Sequence, residues 1–348
     1  MMVSFFVLQA QAHPALQPAD ALKMAYQAAF GAEHLLTDQQ KARAFLHAEM
    51  TSCPDAPGLP VWEWIGAGTL RIHLAPWRAA GLPGEWLARL FIRSCRPRPD
   101  GEERFSALLR ELDALTAAGR MPFTRDLWRQ EKERYLEQGI RPLHHSETYR
   151  AAERPAYRVA DGRYAPLLTL LTACGGRGVI ALDGRCASGK STLAQEMADI
   201  ANAAVVHMDD FFLPPDLRTE KRLGEPGGNV HYERFLTDVL PCLGKGQAFS
   251  YPVFDCSRMR MGESRQVLCS GLTVVEGAYS CHPALGSYMT LRAFSDIDAQ
   301  LQKQRILERN GKAGWENFRT RWIPMEEKYF AAFRIREQAS VILQARSG

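Results

Sequence analysis

The chain has 348 residues, enough for two domains of ordinary size, with 46% apolar and 24% charged residues, close to the globular average. That balance excludes a disordered chain, and the lack of any Gly or Pro repeat excludes a collagen-like one. The formal charge of +4 is evenly spread, with 18 basic and 17 acidic side chains up to residue 150 and 25 and 22 beyond, so no nucleic-acid or membrane-surface partner is expected.

In chain order, the apolar run Val3 to Leu8 comes first. It is too short to span a bilayer and no basic residue precedes it. The eight cysteines, at 53, 95, 174, 186, 242, 256, 269 and 281, include no C-x-x-C pair. Free thiols, no zinc knuckle and a cytoplasmic location are therefore expected.

Residues 1–150 read as a mostly helical domain with no function assigned by its motifs. Leu22, Tyr26 and Phe30 recur at helical spacing before Gly31, and Thr37 with Gln40 forms a capping box ahead of Phe45 and Leu46. Trp62 to Leu74 alternates around Gly66 and Gly68 as a short hairpin would, with Trp62 and Trp64 on one face. Further helices are expected over Glu85–Arg93, Arg104–Leu115 and Leu127–Leu136, the last closed by Gly139 and Pro142. His34, His73, His144 and His145 lack metal-ligand spacing and read as surface or core histidines. A substrate cover, a homo-oligomerisation element and a separate enzyme all remain open for this half. The polar stretch 150–163, broken by Pro155 and Gly162, is the expected junction, and the boundary is set at 150/151.

Residues 151–348 change character. Short β-branched runs at 179–182, 203–208, 272–275, 289–294 and 341–343 alternate with helical stretches, the pattern of an α/β fold whose parallel sheet is covered by helices. The first run leads through Asp183 into Gly184-Arg185-Cys186-Ala187-Ser188-Gly189-Lys190-Ser191, then Thr192 and a helix. This is G-x-x-x-x-G-K-S between strand and helix, the phosphate loop of nucleotide-binding proteins. Its glycines let backbone N–H groups turn toward phosphate oxygens, Lys190 reaches the β- and γ-phosphates, and the Ser191 hydroxyl suits Mg²⁺. Two more strand ends carry acid, Asp209-Asp210 after the second run and Glu276 after the third. Strand carboxyl ends of a parallel sheet share one crevice, so Asp209 is the expected general base and Glu276 a carboxylate for Mg²⁺. Arg305 and Arg309 lie on one helix face before Gly311 and read as a lid over the phosphates. The loop carrying Arg218, Lys221, Arg222 and Arg234 reads equally as an anion-recognising loop and as a solvated one.

This half resembles the uridine kinase-like P-loop kinases, the group of uridine kinases, phosphoribulokinases and bacterial pantothenate kinases. The resemblance rests, in order, on the phosphate loop 184–191, Asp-Asp-Phe-Phe at 209–212, Pro-Val-Phe-Asp at 252–255, Val-Glu-Gly at 275–277 and the Arg-bearing helix at 305–309. It implies ATP and Mg²⁺ as cofactors and transfer of a phosphoryl group to a small-molecule hydroxyl, a nucleoside first. Asp209 and Lys190 would be catalytic, Ser191 and Glu276 would serve the metal, and residues 184–192 with Arg305 and Arg309 would hold the nucleotide. Asp210, Arg222, His231, Tyr232, Phe254 and Arg258 are the acceptor candidates. The sequence departs from uridine kinases in three respects: Phe254 lacks a hydroxyl, no His follows Asp255 in Cys256-Ser257-Arg258-Met259-Arg260, and Asn229-Val230-His231-Tyr232-Glu233 replaces Asn-Phe-Asp-His-Pro. A non-nucleoside acceptor, such as a pantothenate-like acid or a sugar phosphate, and a nucleotide-sensing module without turnover are the alternatives.

Overall fold

The computed structural model describes residues 4–32, 36, 38–66, 68–256, 258–268 and 270–345. Val3, His34, Thr37, Ser257 and Cys269, which the sequence reading singled out, lie outside the described residues. Two compact units emerge, Met1–Ala165 and Pro166–Gly348.

The first unit packs helices with a three-stranded antiparallel sheet in the order β1 (Trp62–Trp64), β2 (Thr69–His73), β3 (Tyr157–Asp161). The helix Pro18–Phe30 begins with proline at its first turn, where a missing N–H costs nothing, and stops at Gly31. Its Leu22 and Tyr26 face a core completed by Phe105 and Leu112 of the helix Gly101–Ala117 and by Trp128 and Tyr135 of the helix Arg125–Glu137. The helix Gln39–Ser52 is capped by Asp38, which accepts the N–H groups of Gln40 and Lys41.

The hairpin expected around Gly66 is β1–β2. Trp62 pairs with Ile72 and Trp64 with Leu70, so both tryptophans share a face, their rings 6.2 Å apart. The expected junction is different from what forms. Residues 157–161 are β3, paired with β2 from Thr69↔Asp161 to His73↔Tyr157, and Gly162 N–H donates to the Gly68 carbonyl at 2.7 Å. Pro155 and Gly162 bracket a strand rather than a linker, which carries the first unit fifteen residues past the expected boundary at 150.

The second unit holds a five-stranded parallel sheet flanked by helices. Its order is β10 (Val341–Gln344), β9 (Leu291–Asp296), β4 (Gly178–Gly184), β8 (Leu272–Glu276), β5 (Ala204–His207). The interior strands β4 and β8 are buried almost throughout, as strands covered on both faces must be, and this is why they read as unbroken apolar runs. β5 ends at His207, one residue before the expected Met208, and β9 runs two residues later than the expected 289–294. Leu182 of β4 and His207 of β5 both register with Glu276 of β8, so β5 and β8 end level while β4 runs two residues further, to Gly184. A separate antiparallel hairpin, β6 (Phe249–Asp255) and β7 (Arg260–Val267), completes the unit. Among the described residues no helix is long and apolar enough to cross a membrane.

Candidate active site

The phosphate loop joins β4 to the helix Lys190–Ala201. Its first glycine is compulsory: Gly184 has φ +133°, and a Cβ there would lie 2.1 Å from the Ser295 carbonyl oxygen. Gly189, the N-cap, also has positive φ and provides no side-chain cap to the first N–H groups of the helix. Between them Ala187 adopts φ +61°, a strained value for a residue with a Cβ. The buried Ser188 hydroxyl has no hydrogen-bond partner. An orphaned donor beside a glycine-lined turn and an uncapped helix N-terminus fits a phosphate chain.

Lys190 lies back on the loop, its Nζ donating to the carbonyls of Gly184 and Arg185, both at 2.8 Å. Arg185 turns away from the loop interior into Glu327 at 2.6 Å and into Asp296. The Cys186 N–H donates to Glu326 at 2.9 Å, and the Cys186 carbonyl accepts from Gln302 at 3.0 Å. Glu326 is almost wholly buried. Burial raises its carboxyl to about 7, against the restraining charge of Lys190 and the Cys186 N–H. Ser191 and Thr192 are exposed at the start of the helix.

Glu276 gathers the next groups. One oxygen accepts the Ser191 hydroxyl at 3.1 Å and the other accepts Nδ1–H of His207 at 2.5 Å. Ser191 and Glu276, paired from sequence as metal-binding candidates, are thus in direct contact. Magnesium prefers one or two protein oxygens completed by phosphate and water, and this pair is a donor set of that kind.

Asp209 stands on the short turn Met208–Phe211 that follows β5. It is exposed to the cleft, yet the surrounding protein and the Glu276 carboxylate both raise its carboxyl above the ordinary value, while Lys190 opposes them. Water in the open cleft tempers that push. Asp209 is also part of the wall of a cavity of about 620 Å³, with Phe212 beside it and Phe254, Asp255, Glu263 and Arg265 from the β6–β7 hairpin.

The acceptor candidates divide. Phe254 lines this cavity. Asp210 is buried beneath it, accepting the Tyr251 hydroxyl at 2.9 Å and Arg265 Nε at 2.7 Å, a bracing role between the turn and the hairpin. Arg222 turns inward to Glu233 at 2.9 Å, to the carbonyls of Gly228 and Val230, and to Tyr232. Tyr232 stacks on His282 with ring centroids 5.0 Å apart. Neither these two nor His231 is among the residues lining the cavity, and Arg258 pairs with Asp255 at the hairpin tip. Of the expected lid, Arg305 donates to the Ala187 carbonyl at 3.1 Å, whereas Arg309 bonds Asn310 and lies over Phe318. The helix breaks at Gly311 as its sequence suggests, with φ +68°, before helical backbone resumes.

His207, Arg265, Glu263 and Glu326 were not read from the sequence as site residues. Only His207 carried a local signal, as the residue two before Asp209 at a strand end; the others arrive by tertiary contact.

No family model matches the chain, and no curated protein matches its sequence. Solved structures do. A possible uridine kinase from Bacillus stearothermophilus is 18% identical over 48% of this chain and 89% of its own, with a TM-score of 0.38. A proposed fructose transport system kinase from Silicibacter sp. TM1040 is 21% identical over 50% and 98%, with a TM-score of 0.39. YFH7 of Saccharomyces cerevisiae, a proposed P-loop kinase with a circular permutation, is 14% identical over 50% and 93%, with a TM-score of 0.36. The chain's structural neighbours thus include uridine kinase-like and other P-loop kinases.

Proposed function

We propose that the second unit is a phosphotransferase that moves the terminal phosphoryl group of ATP, bound with Mg²⁺, to a hydroxyl of a small molecule. The observation that carries this reading is the position of Asp209, in the wall of the open cavity and within electrostatic reach of Lys190 and Glu276. ATP with its metal supplies an activated phosphoryl group and neutralises its charge. The chain does the rest. The loop N–H groups and Ser188 cradle phosphate oxygens, and Lys190 swings from its carbonyl contacts to the β- and γ-phosphates. Ser191 and Glu276 hold the metal, with His207 fixing the orientation of Glu276. Asp209 accepts the proton of the acceptor hydroxyl, and a raised carboxyl is the better base for it.

A neutral acceptor is favoured over an anionic one. The cavity wall carries the carboxylates Asp209 and Glu263, with Asp255 paired to Arg258 and Arg265 already bonded to Asp210, while Arg222 is engaged by Glu233. A sugar phosphate would meet a net negative wall. Phe212 and Phe254 offer flat apolar faces to a ring, so a nucleoside is the first acceptor to try. ADP release with ATP and Mg²⁺ across nucleosides, vitamins and sugar phosphates tests the proposal. Stimulation by one acceptor, abolished in Lys190→Ala, is expected. Tight ATP binding with no acceptor-dependent release would replace this reading with a nucleotide-sensing module.

A further inference from the structure

The first unit contains a group that its own structure leaves unsatisfied. Arg71, in the middle strand β2, is only 1% exposed. Its Nη1 donates to Gln9 at 2.9 Å and to Glu63 at 3.3 Å, and the guanidinium lies 4.3 Å from the centroid of the Tyr157 ring. The other two nitrogens, Nε and Nη2, are enclosed and have no hydrogen-bond partner. Buried donors of a charged group are costly to leave unpaired, and proteins seldom do so without a ligand or water to satisfy them. Nε and Nη2 share one edge of the guanidinium plane, and two parallel N–H bonds from such an edge match the two oxygens of a carboxylate.

Arg71 also belongs to the wall of a cavity of about 330 Å³, together with His13, His73, Tyr149, Glu153 and Tyr157. That volume is at the small end of metabolite pockets. The resident acids are already committed. Glu63 accepts from Arg71, His73 and Gln9, and Glu153 pairs with His13 at 2.8 Å. Among the described residues no carboxylate is bonded to the free edge. Nearby Lys23 is held down to about 8, by burial first and then by the Arg71 charge, so the surroundings of Arg71 would gain from a negative charge. A single arginine edge next to Glu63 and Glu153 suits one planar monoanionic group better than a doubly charged phosphate.

We propose that this cavity binds a small organic carboxylate, its two oxygens received by Nε and Nη2 of Arg71. The inference concerns the first unit alone and stands apart from the kinase reading.

Full-length protein labelled with ¹⁵N-arginine allows the Nε–H groups to be followed while acetate, succinate, inorganic phosphate or sodium chloride is added at matched ionic strength. The expected result is one Nε–H resonance that shifts saturably with acetate and succinate, not with chloride, and that is missing from Arg71→Lys. Crystals of the wild-type protein grown with succinate, which need no variant to fold, should show a carboxylate within hydrogen-bond distance of both nitrogens. A linear drift common to all salts, phosphate binding without carboxylate binding, or ordered water alone on Nε and Nη2 would each overturn the proposal.

Discussion

The two units differ in what surrounds their candidate sites. In the first, Asp20 is fully buried and accepts from His145 at 2.9 Å, from the Ser146 N–H and hydroxyl at 2.9 and 2.7 Å, and from the Gln17 N–H at 3.0 Å. His145 passes the chain on to Tyr157 at 2.6 Å and stacks on Tyr149. Of the four histidines read from the sequence as surface or core residues, His145 is committed to this network and His73 to Glu63 at 3.1 Å. In the second unit Asp183 and Glu276 are held as closely, Asp183 by the Tyr329 hydroxyl at 2.8 Å and the Cys281 N–H at 2.9 Å, but groups beside them are less engaged. Lys190 rests on carbonyls, the Ser188 hydroxyl has no partner, and Asp209 faces open space. A closed network holds a fold together, whereas unsatisfied donors around a cavity mark a place for a ligand. Arg71 is informative because it combines the two conditions in one side chain.

The sharpest way to break the contrast is to remove the reactive groups of the second unit. Asp209→Asn and Lys190→Ala should each lower acceptor-dependent ADP release by about 10²–10⁴-fold, the range for loss of a positioned acid–base or charge-stabilising group. Circular dichroism should be unchanged, since neither group is a hub of the fold. Wild-type rates in Asp209→Asn would remove it as the base.

The converse applies to the first unit. Asp20→Ala strips four donors of their acceptor, and denaturant unfolding should show a loss of about 3–5 kcal/mol. The acid side gives an independent check. Burial works to raise the Asp20 carboxyl, but the bonds from His145 and Ser146 prevail and hold it below its ordinary value. Its stabilising contribution is therefore complete at neutral pH and declines as pH falls through the depressed native value. The advantage of wild type over Asp20→Asn should shrink over that acid range.

How much of this was legible depends on how locally each feature is encoded. The phosphate loop is contiguous, and its strand and helix flanks follow from the runs beside it, so 184–191 could be read directly. Asp209 and Glu276 were readable because each follows an apolar run at a strand end. β7 was not, because its Arg-Met-Gly-Glu-Ser-Arg-Gln stretch is exposed on both faces and has no apolar alternation. β3 was hidden by the proline and glycine around it, its pairing strand lying far back in the chain. Glu326 meets Cys186 across 140 residues, and no spacing rule reaches that far.

That contact leads to a smaller effect. Glu326 titrates near 7 and accepts the loop N–H of Cys186, a donor of the kind a phosphate oxygen uses. Below pH 7 the carboxyl is neutral and competes weakly; above it, its charge opposes the phosphates. ATP affinity should therefore weaken by up to about tenfold between pH 6 and 8, one pKa unit being worth 1.36 kcal/mol. Glu326→Gln should be flatter across this range, and the difference between the two proteins separates Glu326 from the titration of the nucleotide itself. Equal pH profiles by calorimetry would exclude the effect.

The smallest difference expected lies within the lid. Arg305 and Arg309 have the same charge and the same helix face, and sequence alone ranks them together. In the structure Arg305 reaches the phosphate loop through the Ala187 carbonyl, while Arg309 is exposed, bonded to its neighbour Asn310 and covering Phe318. An exposed arginine held by local partners contributes little, whereas one already docked on the loop is close to where charge builds up during transfer. Arg305→Ala should thus lower kcat several-fold more than Arg309→Ala. A larger loss in Arg309→Ala would mean that the helix swings about Gly311, whose left-handed backbone interrupts it, and brings Arg309 over the loop only when nucleotide is bound.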